Sequence, residues 1–119
     1  MEEILQLKDL TDKRIRLSNS YAKERKLYGE TKAELDIIYA SKIIKLQEKK
    51  RNLGYETGLL MMLAESSREE REMLTKMYTD MIKAFNNYKA IERMIDAIEC
   101  KIISIEAGMR YNRTNDGHN

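Results

Sequence analysis

"LTKMYTDMIKAFNNYKAIERMIDAIECKIISIEAGM", residues 74–109, decides the fold. Within it Leu74, Met77, Met81, Ala84, Tyr88, Ile91, Ile95, Ile98, Ile102, Ile105 and Met109 follow an unbroken alternation of three- and four-residue steps. All 11 are apolar or aromatic. A helix turns once in about 3.6 residues, so such steps line one face. Five heptads with no polar interruption predict a coiled-coil helix.

Upstream, Leu7, Leu10, Leu17, Tyr21, Tyr28, Leu35 and Ile38 recur at steps of three, four or their multiples and predict a first helix over 2–52. Four positions of this seam are polar: Arg14, Glu24, Thr31 and Lys42. Past Ile38 the stripe is expected to slip by one residue and continue through Tyr39, Ile43, Leu46 and Leu53, as a straight helix drifts against a seven-residue repeat. Lys49, Lys50 and Arg51 suit the negative end of the helix dipole, and Gly54 is expected to take the left-handed C-cap conformation.

The two helices meet at "GYETGLLMMLAESSREERE", residues 54–72. Its apolar run, Leu59 to Ala64, is far short of the roughly 20 residues that span a bilayer. Ser66 and Ser67 each have a glutamate three residues on, Glu69 and Glu70, and each fits a capping box. A corner or short helix is therefore expected over 55–66 and a second long helix over 67–111. The polar tail 112–119 is expected to be disordered. The predicted fold is all-α: one domain, 1–111, a long antiparallel helical hairpin or coiled coil with a short helix at its corner, assembling into an oligomeric helix bundle.

Composition agrees. The 119 residues include no proline, 35% charged and 42% hydrophobic side chains, a mix typical of long helices. The single cysteine, Cys100, excludes an intramolecular disulfide and fits a reducing compartment. The N-terminal "MEEILQLKDLTDKR" is acidic and lacks an apolar core, so it does not read as a signal peptide. The expected location is the cytoplasm, with no membrane contact. Residues 1–54 carry 13 Lys/Arg against 9 Asp/Glu, and residues 55–119 carry 9 against 11.

A lone helix pair would leave apolar surface wet, because Tyr78, Ile82, Phe85, Met94 and Ile103 stand beside the second seam and Ala90, Ala97, Cys100 and Ala107 beyond it. Small two-helix scaffolds rarely stand without oligomerisation. A homo-oligomer is expected, with Leu74, Met77, Met81, Tyr88, Ile91, Ile95, Ile98, Ile102, Ile105 and Met109 as its seam. β-Branched residues at both seam positions favour more than two strands in parallel coils.

No catalytic pattern emerges. The only histidine, His118, reads as a tail residue, and Cys100 reads as a small buried hydrophobe. Glu92, Glu99 and Glu106 form an acidic ridge without the Glu-x-x-His pattern of diiron bundles, and it reads as a solvated flank or as a partner to Lys/Arg on a neighbouring helix. No enzyme, metal or cofactor is expected. Two binding surfaces are. Leu59, Leu60, Met61, Met62 and Leu63 either close the hairpin end or dock a partner, adjacent methionines being adaptable at contact surfaces. "KIIKLQEKKRN" offers Lys42, Lys45, Lys49, Lys50 and Arg51 to a nucleic-acid backbone, with Arg14, Arg16, Lys23, Arg25 and Lys26 further up the helix. The competing reading of this patch is an ordinary solvated face.

"NLGYETGLLMMLAE" followed by "YKAIERMIDAIECKIISIEAGMRY", together spanning 52–111, resembles short helical proteins from early operons of phages and prophages of Gram-positive bacteria. Some of these lie near single-strand annealing recombination genes, and others in such operons inhibit host defences. The resemblance implies a phage accessory protein acting by binding in the host cytoplasm. The first functional reading is a non-enzymatic oligomeric coiled coil that binds a host or phage protein. The alternative is a nucleic-acid-binding accessory of phage recombination or replication that uses the basic face of the first helix.

Overall fold

The structure is a computed structural model that describes residues 1–47 and 54–117, excluding the side chains at 43, 45–47, 55–56, 59 and 114–117. It contains three helices: α1 (Glu2–Gln47), α2 (Tyr55–Glu65) and α3 (Arg68–Gly117). They build an all-α helical hairpin in which α1 and α3 pack against each other. The chain divides into two compact units, Met1–Glu24 with Asn86–Asn119, and Arg25–Phe85. α1 and α3 each contribute to both units.

In the second unit α1, α2 and α3 share one core. Leu35, Met62 and Leu74 are its buried centre, with Ile38, Tyr39, Met61, Leu63, Met77, Tyr78 and Met81 packed around them. One residue from each helix thus meets at the middle. Burying a side chain of this size stabilises by about 1.5–3 kcal/mol. Tyr28 of α1 packs its ring 5.6 Å from that of Phe85 of α3. Lys42 of α1 donates to the Glu70 carboxylate of α3 and, at 3.4 Å, to Ser66 Oγ.

The corner between α2 and α3 takes no linker. Ser66 ends α2 in extended backbone, with its N–H and its buried hydroxyl both donating to the Met62 carbonyl. Ser67 then caps α3: its Oγ accepts the Glu70 N–H at 3.2 Å and its carbonyl accepts the Arg71 N–H at 2.9 Å. Of the two serines that fitted a capping box, Ser67 alone opens the helix. Acidic Glu69 and Glu70 lie in the first turn, where they offset the positive dipole end.

In the first unit α1 and α3 run antiparallel. The Tyr21 and Tyr88 rings meet edge to face with centroids 5.8 Å apart. Asn87 Nδ2 donates to Glu24 Oε2 at 3.5 Å, setting one polar layer among apolar ones. Ile98 and Ile102 are buried beyond it.

The inward stripe of α3 is the one its periodicity predicts, from Leu74 to Met109, each position buried or half-buried. On α1 the inward stripe retains all four polar positions, Arg14, Glu24, Thr31 and Lys42, as half-buried residues. The expected slip past Ile38 is therefore incomplete. Tyr39 does turn inward, but Lys42 stays inward as well because its ammonium finds Glu70 and Ser66. The continuation through Ile43, Leu46 and Leu53 lies outside the described side chains.

Three expectations are corrected. Gly54 is not a left-handed C-cap but the N-cap of α2, at φ −65° and ψ 161°, backbone that any residue adopts. α3 does not stop at Tyr111 but runs on to Gly117. Periodicity loses sight of a helix at its last apolar residue, whereas no proline or glycine interrupts the backbone between Tyr111 and Gly117. Cys100 is exposed, not buried. His118 lies outside the described residues.

Candidate functional site

The seam read as an oligomer interface is occupied within one chain. Leu74 is fully buried, Tyr88, Ile98 and Ile102 are at most 8% exposed, and the rest of the seam is half-buried. The hairpin supplies the cover itself, through α1 and α2.

The hairpin-end residues separate. Met62 is buried between Leu35 and Leu74, and Met61 and Leu63 are half-buried beside it. Leu60 points outward and is 67% exposed. The Leu59 side chain lies outside the described ones. On α1 of the same unit Ile37 and Ile44, seven residues apart and so on one face, are 67% and 60% exposed. Exposed Ala33 and Ala40 complete that stripe at helical steps of four and seven.

The basic patch is also redistributed. Lys42 is turned into the corner by Glu70 and Ser66 and is only 33% exposed, so it does not stand on a free cationic face. Sequence alone could not see a partner 28 residues away. The Lys45 side chain and Lys49, Lys50 and Arg51 lie outside the described residues. Higher on α1, Arg25 sits 5.3 Å over the Tyr28 ring and Lys26 pairs with Glu30 at 3.8 Å.

Cations without a partner among the described residues stand in both units: Arg71 and Lys76 beside a groove of the second unit, and a longer run in the first. An open groove of about 400 Å³ runs between α1 and α3, lined by Ser20, Lys23, Glu24, Asn87, Ala90 and Ile91. In an antiparallel pair, one heptad back on α1 lies beside one heptad forward on α3. Stepping so from Ser20, Lys23, Asn87 and Ala90 reaches Lys13, Arg16, Met94 and Ala97. All four are exposed. Lys13, Arg16, Lys23 and Lys101 make no ion pair or hydrogen bond among the described residues. The signal available in the sequence was the acid-free stretch 13–23, with its four cations.

Among the described residues no group of three or more His, Cys, Asp or Glu side chains is placed to hold a metal ion, and no helix is long and apolar enough to cross a membrane. Comparison with protein-family models, with curated proteins and with solved structures returns no match.

Proposed function

We propose that this chain is a non-enzymatic, self-associating helical hairpin that acts by binding another protein. The observation that supports the reading is the outward stripe of α1, where Ile37 and Ile44 remain more than half exposed although the hairpin core is already filled. Large apolar side chains left on one helical face are the material of helix-in-groove contacts. The sequence resemblance adds a setting: an accessory protein of a phage early operon, or an inhibitor of a host factor, acting in the host cytoplasm. Light scattering on the purified chain at micromolar concentration tests the self-association, and Ile37→Glu with Ile44→Glu should shift the mass to that of a monomer. A monomeric parent chain would refute it.

A second reading, nucleic-acid binding through α1, is favoured by the run of cations at Lys13, Arg14, Arg16 and Lys23, which lack carboxylate partners among the described residues.

A further inference from the structure

We propose that one flank of the first unit, carrying Lys13, Arg16 and Lys23 of α1 and Lys101 of α3, binds the phosphodiester backbone of a nucleic acid. The proposal rests on the second reading above and gives it a site different from the lysines near residue 45.

The site is built by the helical repeat. Arg16 and Lys23 are one heptad apart, and Lys13 is one heptad before Ser20. On α3, Asn87, Met94 and Lys101 are spaced by the same seven. Ser20, Lys23, Asn87 and Ala90 already line one groove, so the repeat carries Lys13, Arg16 and Lys101 along that same flank. Its cations therefore come from both helices.

The floor suits a backbone ligand. Ser20, Ala90 and Ala97 are exposed and small, so a strand can lie close to the helices. From Lys13 to Lys23 is ten residues, about 15 Å at 1.5 Å per residue. Along the axis of a duplex that length spans about four phosphates of one strand at roughly 3.4 Å each. Glu24 is half-buried and also lines the groove, where Asn87 donates to its carboxylate at 3.5 Å, and Asp9, one heptad beyond Arg16, marks the end of the basic run.

The opposite flank of α3 is richer in acids, although Lys89 pairs with Glu92 there at 3.6 Å. Glu92, Glu99 and Glu106 form a heptad row on α3, with Asp96 among them. A polyanion is repelled there and directed to the basic side. No aromatic ring lines the groove: Tyr21 and Tyr88 pack on each other, Tyr88 is 6% exposed, and the exposed Tyr111 stands ten residues beyond Lys101. Binding should therefore be electrostatic and indifferent to base sequence.

The test is fluorescence anisotropy of the full chain with a labelled 20-nucleotide single strand, and with the duplex of the same length, at 50 and 200 mM salt. Neutralising four phosphates predicts a loss of about 50- to 150-fold between those salts. The variant Lys13→Glu, Arg16→Glu, Lys23→Glu should lose at least about 50-fold at the lower salt. The equal charge change Arg68→Glu, Arg71→Glu, Lys76→Glu, in the second unit, should stay within about threefold of the parent. Circular dichroism melts of both variants check that each is folded. Equal losses in the two variants, or parental binding by the first, overturn the site while leaving the nucleic-acid reading standing. No binding by the parent at 50 mM overturns both. Polyglutamate competing as well as the oligonucleotide at matched charge overturns the choice of ligand and points to an acidic protein.

Discussion

Lys42 on α1 donates a hydrogen bond to the carboxylate of Glu70, while the Glu70 backbone N–H donates to Ser67 Oγ at the start of α3. One residue thus ties α3 both to its own cap and to the neighbouring helix. Lys42 and Glu70 are 33% and 47% exposed, so solvent screens much of the attraction. A double-mutant cycle with Lys42→Ala and Glu70→Ala should give a coupling of about 0.2–1 kcal/mol in urea unfolding. A coupling indistinguishable from zero would mean the pair is incidental.

Two residues of α2 only two positions apart should respond very differently. Met62 is 1% exposed and Leu60 is 67% exposed. Met62→Ala should cost about 2–5 kcal/mol, because it opens a cavity between Leu35 and Leu74. Leu60→Ser should change stability by no more than about 0.5 kcal/mol. Chemical denaturation of the two variants side by side measures this, and a large loss from Leu60→Ser would place that side chain in a self-interface.

Removing the cap of α3 should be felt more than its exposure suggests. Ser67→Ala leaves the Glu70 N–H without its side-chain acceptor and should cost about 1 kcal/mol, whereas Ser67→Gly should cost only a few tenths. Thermal melts order the two variants, and the reverse order would refute the cap.

Two glycines should be improvable. Gly29 in α1 and Gly108 in α3 have open space where a Cβ would stand. Alanine is favoured over glycine inside a helix by about 1 kcal/mol. Gly29→Ala and Gly108→Ala should each raise the melting temperature. A fall at either position would show that the space is used by a partner.

The polar layer offers a sharper case. Glu24 lies in the α1 seam, and Asn87 stands beside the otherwise apolar α3 seam. Replacing both half-buried groups with leucine should raise stability modestly, since a paired polar group taken partly out of water often contributes less than a well-packed apolar one. It should also relax register or partner choice, which a single polar seam position can specify. Size-exclusion chromatography showing one unchanged species after the double substitution would argue against that specifying role.

The helices were legible in the sequence wherever apolar residues repeat without interruption. Leu74 to Met109 left no alternative to a helix with that face inward. The corner was legible because the two serines, each with its glutamate, advertise a helix start. What the sequence hid was pairing across distance. Lys42 looked like part of a basic patch because Glu70 is far along the chain, and Ser66 looked like a cap because its hydroxyl's true acceptor, the Met62 carbonyl, is backbone. The flank around Lys13 and Lys101 was hidden for the same reason. Its cations belong to two helices, and only the groove at Ser20 and Ala90 brings those helices into one frame.

The junction of Ser66 and Ser67 has a last consequence. With no residue between one helix's end and the next one's cap, the chain has no slack there. A single amino acid inserted at that point would turn α3 by about 100° relative to α2. Leu74 would swing away from Met62, and the acidic first turn from Lys42. The neighbouring hydroxyls therefore set the phase of the 50-residue α3, and a length change between those two serines should be as disruptive as one inside a long helix.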